Sequence, residues 1–194
     1  ELDPTCRDAY DERRWTYGQL GKVQEVIEDL TRVIELDPTC KDAYADRALA
    51  YEKLKELDKA IKDCVRVIEL DPQCVTAWIC LAKLRHSKGD FEYAVANCTD
   101  AIRIDSAHLP AYYARGCAHH AMGDYDRAIA DYTEIIRRRA GGEDPLLGSA
   151  YHARGRAYAK KGQTAQADAD FARAKDLGCH GEPGVPTLED SPRQ

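Results

Sequence analysis

The chain has 194 residues, with 28 Lys and Arg against 34 Asp and Glu, a formal charge of −6. Its 44% hydrophobic content is too high for a disordered chain, and its acidic balance argues against general nucleic-acid binding, which draws most of its affinity from neutralised phosphates. The longest apolar run, Ala77 to Ala82, is six residues, far too short to span a bilayer.

The chain opens on Glu1-Leu2-Asp3-Pro4. The same phrase returns as Leu36-Asp37-Pro38 and Leu70-Asp71-Pro72, in steps of 34 residues, with Ile104-Asp105-Ser106 as a degenerate copy. Without an initiator Met or a signal segment, this start reads as the end of a preceding, truncated repeat over residues 1–6 of a longer protein. Four copies follow at 7–40, 41–74, 75–108 and 109–147. A fifth covers 148–177, and residues 178–194, with three Gly and three Pro, are expected to form a mobile tail. The marker pairs Ala9-Tyr10, Ala43-Tyr44, Ala77-Trp78 and Ala111-Tyr112 keep the 34-residue step. Ala150-Tyr151 comes 39 residues after the last of these. The extra residues include Ala140-Gly141-Gly142-Glu143-Asp144-Pro145, read as an inserted loop.

Each copy predicts two helices. Tyr44, Arg47, Ala48 and Tyr51 fall at i, i+3, i+4 and i+7. Leu57, Ala60, Ile61, Cys64, Val67 and Ile68 form a second stripe. Between the helices, Gly89-Asp90 and Gly123-Asp124 predict a left-handed helix exit followed by an N-cap. The Asp-Pro pairs end the second helix, since proline disfavours helical geometry in its predecessor. Ile27, Ile61, Val95 and Ile129 share one position of the second helix, and Ile34, Ile68, Ile102 and Ile136 share another. In the fifth copy these become Asp168 and Lys175, so that helix is expected to be the C-terminal cap. The uncapped first copy, with Leu20 and Val23, is expected to leave apolar surface for self-association.

The chain has eight cysteines. Cys6, Cys40 and Cys74 recur with the repeat, as do Cys64 and Cys98. Residues that recur in this way lie about one repeat apart, beyond the reach of a disulfide, so free thiols and a reducing, cytoplasmic setting are expected. Asn97-Cys98-Thr99 falls inside a predicted helix and is read as a chance sequon.

A helix–turn–helix unit of 34 residues has the tetratricopeptide length, and the chain resembles that family in detail over about residues 1–177. Ala48, Ala82, Gly116 and Gly155 match its small position in the first helix. Tyr17, Tyr51 and Tyr158 match its aromatic position. Ala60, Ala94, Ala128 and Ala167 match the small position of the second helix, and Leu30, Cys64, Cys98, Tyr132 and Phe171 the large one. Arg14 and Val26 depart from the pattern in the first copy. The resemblance implies an all-α, right-handed superhelical solenoid of five helix–turn–helix repeats, with no strands.

It also implies a concave groove lined by first helices, where the family binds peptides or partner segments. The family's groove positions fall on Asp8, Asp11, Glu12 and Trp15, then on Asp42, Asp46, Leu49 and Glu52. They continue on Ile79, Cys80, Lys83 and His86, on Tyr113, Cys117 and His120, and on His152, Arg156 and Lys160. The lining runs from acidic to basic. Residues 1–40 hold ten acids and five bases, and residues 148–194 hold six acids and seven bases. An extended partner with a basic end at the first two repeats, anchored by an apolar side chain near Ile79 and Tyr113, is therefore expected. Some family members clamp acidic chaperone C-termini with basic and Asn residues. The matching positions here, Asp11, Trp15, Asp46, Thr76 and Cys80, hold no such set.

Cys117 and His120 share a helix face, and His86 matches His120 one repeat earlier. Position-matched residues in adjacent repeats stand too far apart to share a metal at roughly 2.0–2.3 Å, so no metal and no cofactor is expected. His119 reads as core packing, and Arg137-Arg138-Arg139 as a helix C-terminal charge cap. No catalytic set is evident. The expected function is a non-catalytic interaction scaffold or adaptor that binds a protein or peptide segment, without nucleic acid or membrane. The alternatives are a regulatory or targeting arm of a larger multidomain enzyme, or a self-assembly element.

Overall fold

The computed structural model describes residues 22–139 and 145–179. They contain the helices α1 (Val23–Leu36), α2 (Lys41–Lys53), α3 (Leu57–Leu70), α4 (Val75–Lys88), α5 (Phe91–Ile104), α6 (Leu109–Ala121), α7 (Tyr125–Arg139), α8 (Pro145–Lys160) and α9 (Thr164–Asp176). No strand occurs among the described residues, and none of these helices is long and apolar enough to cross a membrane. The chain divides into two compact units, Glu1–Leu84 and Arg85–Gln194. In the first unit, Val26, Ile27, Leu30 and Val33 form one core with Cys40 and Ala43. Ala48, Ala60, Ile61, Cys64, Leu81 and Leu84 form another. In the second unit the core runs from Leu109, Tyr113 and Cys117 through Tyr132 and Ile135 to Leu146 and Leu147.

The helix ends repeat. Gly89, Gly123 and Gly162 adopt positive φ, and Lys55 takes the same place at φ 59. At each exit the next amide reaches back to close a Schellman turn: Glu56 N to Tyr51 O, Asp90 N to Arg85 O, Asp124 N to His119 O and Gln163 N to Tyr158 O. The expected Asp caps diverge. Asp124 Oδ1 accepts from Arg127 N at 3.2 Å. Asp90 makes no side-chain cap; its carboxylate instead takes Arg85 Nη1 at 2.9 Å, because that cation ends the preceding helix beside it. At the Asp-Pro turns the carboxylate stays local, with Asp37 accepting from Thr39 N and Asp71 from Gln73 N. In three marker pairs the aromatic then bonds a carbonyl of that turn: Tyr44 to Pro38, Trp78 to Pro72 and Tyr112 to Ser106.

Helix α8 starts at Pro145, three residues ahead of the expected copy boundary at 148. Proline suits the first helical turn, and Leu146 and Leu147 are buried in the core, so part of the inserted stretch is helix. Residues 140–144, expected as loop, and 180–194, most of the expected tail, lie outside the described residues.

A buried ion pair recurs with the helix pairs. Arg47 forks onto Asp63 with two bonds of 2.8 Å and reaches Thr31 Oγ1 at 3.0 Å. Arg115 does the same to Asp131 and Thr99, and Arg154 to Asp170 and Thr133. Each arginine thus ties its first helix to its own second helix and to the preceding one. The three aspartates are buried, and each guanidinium is held above its ordinary value chiefly by the bond to its aspartate. Arg47 therefore lies on the inner stripe of α2 as a charge partner. In the third copy the register places Val65, Leu81 and Asn97 at the Thr, Arg and Asp positions. Removing one partner of such a pair strands a buried charge, whereas an apolar replacement of the pair is tolerated. Arg115→Leu should cost about 3 kcal/mol, and Arg115→Leu with Asp131→Asn, copying the third repeat, should recover most of it in urea unfolding.

Close packing sets the small positions. A Cβ on Gly116 would stand 2.6 Å from Tyr132 Cε1, and one on Gly155 would stand 2.9 Å from Phe171 Cε1. Where the second-helix residue is the smaller Cys64, the first helix carries Ala48 instead, and both are buried in one cluster. Small and large residues therefore vary together, which conserves core volume. Gly116→Ala should destabilise by about 1–3 kcal/mol through overpacking, read as a lower urea midpoint at unchanged slope.

Candidate functional site

The expected lining divides by burial. Asp8, Asp11, Glu12 and Trp15 lie outside the described residues. On α2, Asp42 and Leu49 are exposed while Asp46 and Glu52 are half-buried. Asp42, Asp46 and Leu49 follow the four- and three-residue spacing that puts them on one stripe. On α4, Lys83 and His86 are half-buried. Ile79, Tyr113 and Cys117 correct the sequence reading. Their exposures are 7%, 3% and 6%, so they are core residues rather than open anchors. Tyr113 packs its ring 5.8 Å from that of Tyr132. Cys117 accepts the Tyr132 hydroxyl at 3.6 Å, and burial pushes its thiol up to about 11. The repeat register marks these positions as inward-neighbouring but does not say how far the neighbouring helix closes over them. Among the described residues of the expected lining, the one exposed apolar side chain is Leu49.

In the second unit, His120, Arg156 and Lys160 come together. His120 on α6 lies within the electrostatic reach of Arg156 and Lys160 on α8. His86 and His120 stand edge-on to Phe91 and Tyr125, at 5.1 Å and 5.2 Å between ring centroids, and His152 packs 5.5 Å from Phe171. These histidines are therefore fixed by the aromatic residues of the second helices. The Arg run engages its own unit. Arg137 and Arg138 both bind Glu134, holding that carboxyl at about 2, with Arg137 the larger cause. Arg138 also reaches the Ser106 carbonyl and the Tyr112 hydroxyl.

Two features escaped sequence reading. Cys64 on α3 and Cys80 on α4 stand 3.3 Å apart, Sγ to Sγ. Repeat-matched cysteines lie a full copy apart, yet the offset of 16 residues that joins Arg47 to Thr31 and to Asp63 also joins this pair. That offset was the available signal. The second feature is a pocket of about 590 Å³ in the first unit, walled by Ile34, Tyr44, Tyr51, Val65 and Arg66 among others. None of the described residues of the expected lining belongs to it.

Helix pairs in sequence register, with small residues where helices meet, define a helical-repeat protein. Tetratricopeptide repeat models match residues 42–74, 110–139, and both 15–40 and 148–177. The chain belongs to the tetratricopeptide repeat family. No curated protein matches it in sequence. Solved structures share the fold. MamA aligns over 84% of this chain and 92% of its own, with TM-score 0.75 at 23% identity. MamA from residue 41 onward, of Desulfovibrio magneticus RS-1, aligns over 91% and 96%, with TM-score 0.79 at 15% identity. YrrB, described as a TPR protein with an unusual peptide-binding site, aligns over 87% and 84%, with TM-score 0.69 at 15% identity.

Burial lowers His86, His119 and His120 below the ordinary imidazole value of 6.5, and Arg156 and Lys160 lower His120 further. Below that value the unfolded chain takes up protons before the folded one, so stability is lost as pH falls. The melting temperature should decline between pH 7 and about 5, before ordinary carboxylates titrate. His120→Gln should flatten that decline in thermal scans across pH.

Proposed function

We propose that the chain is a non-catalytic protein-interaction scaffold that holds an extended partner segment against its first helices. Membership of the tetratricopeptide family supports the scaffold role, since stacks of such repeats offer extended binding surfaces. A relative of the same fold, YrrB, is described as having a peptide-binding site, which favours a peptide ligand here too. The observation that carries the reading is the surface of α2, where exposed Leu49 stands among Asp42, Asp46 and Glu52. An apolar contact framed by carboxylates suits a segment that pairs a hydrophobic side chain with Lys or Arg. Charge complementarity of this kind steers encounter and sets orientation. The His120, Arg156 and Lys160 group of the second unit offers the opposite sign. Asp8, Asp11 and Glu12 extend the acidic set in the sequence register, and Trp15 adds an aromatic position to it.

Selection of a random peptide display library on the whole chain tests this reading. The expected winners carry a Lys or Arg cluster beside a large apolar residue. Asp11→Lys with Asp46→Lys should weaken those peptides at least tenfold, and Leu49→Ala should weaken them without changing their charge preference. Winners without basic residues, or equal binding by the charge-reversed variant, would overturn the polarity. Stoichiometric binding unaffected by any of these changes would move the site away from α2.

A further inference from the structure

We propose that Cys64 and Cys80 form a redox-responsive thiol pair, which a peroxide converts into an intramolecular disulfide joining α3 to α4. The first observation is geometric. The two sulfur atoms lie 3.3 Å apart, with the Cys64 thiol donating to Cys80, so they meet without any helix having to move far. The second is the place of the pair in the repeat. Elsewhere among the described residues each first helix is tied to the preceding second helix by an arginine reaching a threonine: Arg47 to Thr31, Arg115 to Thr99 and Arg154 to Thr133. At the α3–α4 step those positions hold Val65 and Leu81, which make no such bond, and the residues immediately before them are Cys64 and Cys80. The thiol pair therefore occupies the step that lacks the polar tie. The third is its singularity in the register. Cys98 matches Cys64 one copy on, but the residue 16 further along is Ala114, and Ala153 stands at the same position in the last copy.

The two thiols are unequal. Cys64 is buried in the first unit's core, while Cys80 is half-buried at its margin. Cys80 is held below the ordinary thiol value first by the hydrogen bond from Cys64 and also by Lys83, with burial and Glu52 opposing. The Cys64 thiol is correspondingly raised, first by the same bond and then by burial. Cys80 is thus the attacking thiolate and Cys64 the resolving thiol. The Cys80 thiolate attacks one peroxide oxygen. The O–O bond breaks, the departing oxygen leaves as water after taking a proton, and Cys80 becomes a sulfenic acid. The Cys64 sulfur then attacks the Cys80 sulfur. The S–O bond breaks, and the hydroxyl leaves as a second water carrying the Cys64 proton. The two thiols lose two electrons in all, and one peroxide is reduced to two waters. A dithiol reductant reverses the change.

The experiment treats the whole chain with one equivalent of hydrogen peroxide, caps remaining thiols with iodoacetamide and maps the bonds by peptide fragmentation. The expected product has lost two hydrogens, carries a Cys64–Cys80 bond and has its other cysteines alkylated. Its melting temperature should rise by several degrees, and dithiothreitol should reverse the rise. Cys80→Ala, which copies Ala114 and Ala153 and so suits the fold, should abolish both the bond and the rise while keeping the reduced protein's helical circular dichroism. Alkylation of both Cys64 and Cys80 after oxidation, or a bond from Cys64 to any other cysteine instead, would overturn the proposal. A melting shift that persists in Cys80→Ala would overturn it as well.

Discussion

A buried carboxylate must be neutralised where it lies, and Asp63, Asp131 and Asp170 each lie inside a helix pair. The arginine that meets each one comes from the first helix of the same pair and extends to a threonine of the helix before. A single side chain thereby fixes three helices in register. The arrangement is costly to break at one partner and inexpensive to replace as a set, so it favours one helix spacing over close competitors. The third copy has exchanged the set for Leu81, Asn97 and Val65. The chain divides into its two compact units within that same copy.

Around this tie the packing is a matter of matched sizes. Gly116 faces Tyr132, Gly155 faces Phe171, and Ala48 shares its cluster with Cys64. Phe171 also holds the ring of His152, and Phe91 and Tyr125 hold those of His86 and His120. Core and candidate binding surface are therefore joined within the second unit. A change in a second-helix aromatic would move a half-buried imidazole, and the burial of His86 and His120 makes the fold sensitive to mild acid.

The α3–α4 step shows the same economy by other means. Without the arginine–threonine tie, its register places two thiols in contact, and their chemistry depends on an oxidant rather than on a fixed charge. Cys80 and Lys83 also belong to the expected partner-facing helix positions, so oxidation would act beside that surface.

The 34-residue period, the two helices per copy, the Asp-Pro stops and the exchange of large and small residues were legible in the amino-acid order alone. They are local and repeated, and each copy restates the same physical requirement. The acidic lining positions of α2 and the basic lining positions of α8 were equally legible, because the repeat register assigns each charge to a helix face. Depth was not. Ile79, Tyr113 and Cys117 occupy expected lining positions, yet they sink into the core, because burial depends on how closely the next helix approaches. Pro145 to Leu147 entered helix α8, since two leucines found a core to join. The meeting of Cys64 with Cys80 was likewise decided by tertiary packing. Sequence periodicity aligns residues one repeat apart, but contact arises between residues that face each other across two different helices.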